Sequence, residues 1–431
     1  MRLISKILCY PFLVTILFSC KKEDLGLTDE VVSPTTGTPV EFTLDSIFLY
    51  AKQVYLWRET LPSYTEFDPR NRYEAVSPEL RAYKSELYDI SQMNVNPQTG
   101  NSYELPVYAG SPKYSYLEQG TPNNGISTMA TIANTGSEFM PLYKVVETDN
   151  KKIGYLSLAS FPALTAIKEQ LNAIFASFAK IGITGLIIDL RSNGGGYVET
   201  AEYLANLIVP SNLTGKVMYS EKFNDLMQNG KATILKNQLY RDANGNAVRY
   251  KGRLATMADV NYSKSFNTIL FQKAGNLETI NNVYFIISGN TASASELLIS
   301  SLKPYFDVKL IGQKTYGKPV GFFGVHIGSY TIYLSSFILQ NAVGWYDYFE
   351  GMQPDVTITF STDTSLGNLD EPGLYTALSV IGGSFNSSSF SNRKSFTSSG
   401  HEDMNKENSS TIQTSLSGNY IPIYKKQFKL K

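Results

Sequence analysis

Residues 283–302 read Val283-Tyr-Phe-Ile-Ile-Ser-Gly-Asn-Thr-Ala-Ser-Ala-Ser-Glu-Leu-Leu-Ile-Ser-Ser-Leu302, and an apolar run resumes at Val308-Lys-Leu-Ile311. Val283–Ser288 has the length of a buried strand, small residues follow as a turn, Ala294 to Leu302 has the composition of a helix, and Val308–Ile311 is a second strand. Strand–helix–strand units are the building blocks of an α/β layer fold. The same pattern stands upstream. Ile153-Gly-Tyr-Leu-Ser-Leu158 reads as a strand, and Leu164 to Lys180 as a helix with Ile167, Leu171, Ile174, Phe175 and Phe178 on one face. Gly185-Leu-Ile-Ile-Asp-Leu190 is continuously apolar, as suits a strand buried on both faces. The Gly-rich turn Gly194–Gly196 leads into a helix from about Glu199 to Ile208.

Away from this core the regularity falls. Residues 220–265 are polar, with a hairpin signal at Asp242-Ala-Asn-Gly-Asn246, and read as an excursion. Residues 42–90 read as a small helical domain. One helix, capped by Asp45 or Ser46, runs to about Glu59, and another spans Pro78 to Tyr88 with Ser77 as cap and Pro78 at the first helical position. Residues 91–150 carry Asn/Gly/Pro/Thr clusters without a clear period, and residues 384–431 form a Ser/Asn/Thr-rich tail with the composition of disorder.

The chain has 431 residues, 42% of them hydrophobic and 18% charged, so it can bury a large core. Lys plus Arg and Asp plus Glu are 38 each, so there is no basic surplus to neutralise nucleic-acid phosphates. With two His and two Cys, a His/Cys metal site is close to excluded.

Residues 1–19 form a basic start followed by an apolar run too short to span a bilayer, which fits a secretory signal. Leu17-Phe18-Ser19-Cys20 resembles the lipobox of bacterial lipoproteins, in which the Cys becomes the acylated first residue. That resemblance implies a chain held in the cell envelope by a membrane anchor at Cys20, with residues 20–41 as a Thr/Pro/Gly-rich tether. Whether it faces the periplasm or the outer surface is left open.

The turn at 288–296 carries the candidate chemistry. A hydroxyl on a strand-to-helix turn is exposed, and backbone N–H groups of the helix start point toward whatever it attacks. Taken alone the string is more often a helix cap, with Ser293 and Glu296 three residues apart as in a capping box. A serine nucleophile needs a base. His401 lies in the Ser-rich tail and His326 in the strand-like Gly-Val-His-Ile, where a lone His is usually structural. Lys314 and Lys318 follow the Val308–Ile311 strand, and a Lys can serve if burial depresses its pKa.

Three motifs then coincide. Thr-Ala-Ser-Ala-Ser-Glu, the Lys of Thr-Tyr-Gly-Lys 25 positions beyond Ser293, and Asp189-Leu-Arg-Ser-Asn-Gly-Gly-Gly196 resemble, in order and spacing, the signature of the S41 family of C-terminal processing serine proteases. Tyr348-Phe-Glu-Gly-Met-Gln-Pro-Asp355 is similar to that family's late segment, so the resemblance covers roughly residues 150 to 380, within a core placed at 151–383. It implies a ClpP/crotonase-like layered α/β core, Ser293 as nucleophile rather than Ser295, and Lys318 as general base. Backbone N–H groups of Ala294 and of Gly194 or Gly195 would form the oxyanion hole, a protein or peptide would be the substrate, and no cofactor or metal would be needed.

Two departures stand out. The best-known members carry a Gln four residues after the Lys to orient it, and here that position is Phe322. Many members insert a PDZ module of about 80 to 100 residues, whereas 33 residues separate Glu118 from Lys152, so the module is expected to be absent or a remnant. These departures motivate an alternative, a catalytically silent scaffold on the same fold. A surface glycan-binding lipoprotein, suggested by the anchor with 29 Tyr and 23 Phe, ranks behind both.

Overall fold

A computed structural model describes residues 33–106, 108–120, 140–148, 151–242, 245–360, 365–382 and 428–431. Cys20, the signal segment, His401 and most of the Ser-rich tail lie outside the described residues. Among the described residues, no helix is long and apolar enough to cross a membrane.

The helical N-terminal part starts earlier than its sequence suggests. Helix α1 (Pro39–Val54) is capped by Thr38, whose hydroxyl accepts from Glu41 N–H while the Glu41 carboxylate accepts from Thr38 N–H. Pro39 at the first helical position presets the backbone. Asp45 is therefore no cap, and the helix ends at Val54 rather than near Glu59. Asp45 is buried and accepts from the Arg70 guanidinium at 2.7 Å and from Tyr64 OH at 2.6 Å. Short helices α2 (Tyr64–Phe67) and α3 (Pro69–Tyr73) lead to α4 (Glu79–Gln92), whose cap is Pro78 and not Ser77.

Strand β1 (Tyr116–Gln119) belongs to a small sheet described below. The main sheet is formed by β2 (Leu142–Thr148), β3 (Lys151–Ser157), β4 (Gly185–Asp189), β9 (Asn282–Ile287), β10 (Asp307–Gly312) and β15 (Val356–Thr357), in the order β15-β10-β9-β4-β3-β2. All neighbours pair in parallel except β2, an antiparallel edge on β3. Helices α5 (Leu164–Ile181), α6 (Val198–Ile208) and α8 (Ala294–Leu302) make the crossovers.

Alternation of side chains explains why the strands read as unbroken apolar runs. Leu186, Ile188, Phe285 and Leu310 join α5, α6 and α8 in one core, while Tyr155, Ile187, Ile286 and Ile311 pack with α9 (Pro372–Gly382) on the other face. The expected α/β layering is what the chain forms.

The excursion opens with β5 (Val217–Phe223) and α7 (Asp225–Gln228), passes through the hairpin β6 (Arg249–Tyr250) and β7 (Arg253–Leu254), and returns with β8 (Thr268–Leu270). A second sheet has the order β11-β14-β5-β8, with β11 (Val320–Gly321) and β14 (Phe337–Asn341). A third, β1-β13-β12, uses β12 (Gly324–Ile327) and β13 (Tyr330–Tyr333).

Part of the aperiodic stretch is built into this frame: Tyr114 OH donates to Gly317 O, and Tyr316 OH donates to Lys113 O, in the loop that carries Lys318. At the far end, residues 428–431 are not a free tail: Leu430 bridges Val260, and Phe428 is buried.

Candidate active site

Strands β4 and β9 are neighbours, with Asp189 opposite Ile286, so the loops after them emerge side by side at one edge of the sheet. Hydroxyls stitch the loops together. Ser288 Oγ donates to Arg191 O at 2.5 Å, Thr291 Oγ1 to Leu190 O at 2.8 Å, and Ser295 Oγ to Asn193 O at 3.0 Å. Ser295 is fully buried in that role, while Ser293 keeps partial exposure. Of the two candidate nucleophiles, Ser293 and Ser295, only Ser293 is open to a reactant.

Ser293 precedes α8 with φ 57° and ψ −115°, a conformation that L-residues rarely adopt. Gly195, at φ 109°, faces it so closely that a Cβ there would meet Ser293 Cβ and Ala292 O, both at 3.0 Å. The Gly195 N–H is already taken, donating to Asn193 Oδ1 at 2.9 Å. Among the described residues, the N–H groups of Gly194 and Ala294 have no such acceptor.

Glu296 sits in the first turn of α8, entirely buried, and gathers donors from two segments. Oε2 accepts from the N–H of Ser293 at 3.0 Å and of Lys318 at 2.8 Å. Oε1 accepts from Thr315 Oγ1 at 2.5 Å and from Gly317 N–H at 2.7 Å. Burial pushes the Glu296 carboxyl up, and these donors hold it back toward the ionised form. The sequence offered Glu296 only as half of a capping box. Its larger part is to tie the serine turn to the lysine loop.

That loop is braced from behind by the late segment. Thr315 N–H donates to Met352 O, Met352 N–H to Thr315 Oγ1, and a Cβ on Gly351 would fall 2.0 Å from Thr315 O. This contact accounts for the Tyr348–Asp355 motif. The two candidate lysines separate cleanly, because Lys314 is exposed and Lys318 is buried. Burial lowers the Lys318 amine to about 7, against the opposing pull of the Glu104 and Glu296 carboxylates. Its Nζ lies 4.6 Å from the centre of the Phe322 ring.

Glu104 comes from the aperiodic stretch 91–150, where an isolated Glu gives no signal. It is fully buried and accepts from Tyr55 OH, Ser115 Oγ and Ser335 Oγ through Oε1, and from the N–H groups of Tyr114 and Ser115 through Oε2. Tyr114 OH reaches across to Gly317 O at 2.6 Å, and Lys113 Nζ to Phe349 O at 2.5 Å. The N-terminal segment thus forms a wall of the lysine's chamber.

Asp189 and Arg191 have a structural part. The Arg191 guanidinium holds Asp189 at 2.6 Å and also Glu371, which caps α9 by accepting from Gly373 and Leu374 N–H. His326 sits in β12, its backbone paired with the Gln238 side chain. Among the described residues, no cluster of His, Cys, Asp and Glu could hold a metal ion.

A layered α/β core with a serine on a strained strand-to-helix turn and a buried lysine defines a class of protein that the comparisons make specific. Residues 152–358 match the family model of Peptidase family S41, and this part of the chain belongs to that family. The chain is 22% identical over 236 residues to the chloroplastic C-terminal processing peptidase of Tetradesmus obliquus, covering 54% of this chain and 40% of the relative. It is 28% identical over 172 residues to the carboxy-terminal processing protease CtpA of Bacillus subtilis, covering 40% of this chain and 27% of the relative. The chain therefore spans less than half the length of these relatives. Among solved structures, a putative S41 protease from Bacteroides fragilis aligns at TM-score 0.43 and 24% identity, over 56% of this chain and 57% of that one.

Proposed function

We propose that this chain is a lipid-anchored serine endopeptidase of the cell envelope that hydrolyses peptide bonds of exported proteins through Ser293 and Lys318. The observation that carries the reading is the shared Glu296 oxygen. One carboxylate fixes the backbone of the serine and of the one buried lysine of that loop, whose amine loses its proton near neutral pH.

In this reading Ser293 Oγ attacks the peptide carbonyl carbon while its proton passes to the neutral Lys318 amine. The carbonyl oxygen, now negative, sits against the Ala294 and Gly194 N–H groups; donors of this kind are each worth about 3 kcal/mol in the transition state. The C–N bond breaks as Lys318 returns the proton to the leaving amine, leaving an acyl ester on Ser293. Water then attacks the ester, again giving its proton to Lys318, which passes it back to Ser293. Acylation at Cys20 would tether the domain to the membrane through the residues that precede α1.

The test is mass spectrometry of casein incubated with the full chain in detergent, beside its Ser293→Ala and Lys318→Met variants. Peptides from the wild type alone support the dyad. No cleavage by any of the three folded proteins would favour the scaffold alternative. Fatty-acid labelling that vanishes in Cys20→Ala checks the anchor.

A further inference from the structure

We propose that Phe322 is a positioning residue for Lys318: its ring, held against a stacked pair of tyrosines, holds the Nζ face-on and aims the lone pair of the amine away from the ring. The inference rests on the dyad reading above and concerns how that base is oriented.

The geometry begins with the ring itself. Phe322 is buried in the short link between β11 and β12. Tyr116 and Tyr333 are register partners on β1 and β13 and stack at 4.4 Å. Both present an edge-type contact to Phe322, at 5.5 Å and 84° and at 5.9 Å and 75°. Two sheet strands therefore set the plane of the Phe322 ring, and Lys318 Nζ lies over its centre at 4.6 Å. Among the described residues, Nζ makes no hydrogen bond to a carboxylate or carbonyl.

A π face attracts N–H hydrogens and repels a lone pair. On a neutral amine this turns the N–H bonds toward Phe322 and leaves the lone pair on the open side. Once the amine has taken a proton, the same face stabilises the ammonium. An apolar residue thus orients the base in place of a hydrogen-bonding partner. The ionisable groups acting on Lys318 are Glu296 from α8 and Glu104 from the N-terminal segment. The phenols behind Phe322 stay neutral, since burial drives both Tyr116 and Tyr333 upward and the Glu118 charge adds to this.

The experiment titrates Lys318 directly, in full-chain protein carrying 13Cε-lysine, with the Lys318 signal assigned by its loss in Lys318→Arg. The comparison protein carries a fluorinated phenylalanine at position 322, which keeps the ring's shape and weakens its quadrupole. Since the ring favours the ammonium, the Lys318 midpoint is expected to fall by ~0.5–1 pH unit in the fluorinated protein. It should stay in place in Phe322→Tyr. An unmoved midpoint in the fluorinated protein overturns the inference. In parallel, Phe322→Leu should lower kcat about tenfold with KM little changed, because orientation is lost and the pocket stays dry. Cleavage that persists unchanged in Ser293→Ala and Lys318→Met overturns the dyad reading instead, whatever the titration gives.

Discussion

Ser293 and Lys318 donate their backbone N–H groups to the same atom, Oε2 of Glu296, although 25 positions of chain and a whole helix and strand separate them. The bond from Ser293 stabilises a backbone conformation that would otherwise relax. The bond from Lys318 fixes where the lysine side chain starts. A buried carboxylate with four donors is a stable link only when every donor is present, because an ionised group without partners in an apolar site is expensive.

Glu296→Gln should therefore be damaging despite its equal size. One oxygen becomes an NH2 that confronts two of the four donors, leaving them without an acceptor. We expect a stability loss of ~2–4 kcal/mol in urea unfolding. Peptide cleavage should fall at least about 100-fold, since small displacements of reacting groups carry large rate penalties. Full activity in a folded Glu296→Gln protein would show that the link does not position the dyad.

The two serines of the turn should respond in opposite directions. Ser293→Gly removes the hydroxyl and also relieves a positive φ that glycine adopts freely, so stability should rise by ~1 kcal/mol while cleavage is lost. Ser295→Ala deletes a buried hydrogen bond to Asn193 O, whose carbonyl still accepts from Ala292 N–H. It should lower stability by about 1 kcal/mol and leave cleavage within roughly threefold of wild type. Thermal unfolding and a peptide assay on the same samples decide the matter, and the reverse pattern would reassign the nucleophile.

The difference between those serines marks how far a sequence can be read. Strands β4 and β9 were legible because both of their faces are covered, so apolar residues run without interruption, and β3 and β10 showed as shorter apolar stretches. The turn, the glycines and both lysines were legible as residue types at a spacing. Burial was not: nothing in Lys-Thr-Tyr-Gly-Lys says that Lys314 is exposed and Lys318 enclosed. That outcome depends on Glu104, Tyr114 and Phe322, which come from segments distant in the chain. Glu104 was invisible because a carboxylate's partners, here three hydroxyls and two backbone amides, leave no periodic trace. The start of α1 was misplaced because Asp45 looks like a cap, when Thr38, Pro39 and Glu41 together make a better one and Asp45 is committed to Arg70.

On the proposed dyad reading, Lys318 should make stability and activity depend on pH in linked ways. Its native pKa, about 7, is lower than that of an unfolded lysine, roughly 10.4. Between those values the unfolded chain binds the additional proton, so the lysine's contribution to stability rises with pH across that window. Below pH ~7 both states are protonated and the full penalty of a buried ammonium is present. Lys318→Met should therefore raise the unfolding midpoint most at pH 6, with the advantage shrinking by pH 9.5. Wild-type cleavage should climb through pH ~7 as the neutral amine forms. A stability difference between the two proteins that does not vary with pH would mean that Lys318 is not depressed in the folded state.

The ion network behind the site sets a last expectation. Arg191 is enclosed between Asp189 and Glu371, both almost completely buried, and its guanidinium also lies 4.4 Å from the centre of the Phe360 ring. Arg191→Met would leave two buried carboxylates without their cation, and losing one partner of such a network costs about 3–5 kcal/mol. Glu371→Gln is the milder change and acts at a defined place, since Glu371 carries the first amides of α9. Hydrogen exchange should then accelerate at Leu374, Ala377 and Leu378, which close one face of the sheet, with little change in β4 and β9. Because Asp189 ends the strand that leads into Gly194 and Gly195, cleavage in Arg191→Met should drop in kcat more than in KM. A variant with normal kcat and normal exchange in α9 would place the network outside the architecture that holds the glycine loop.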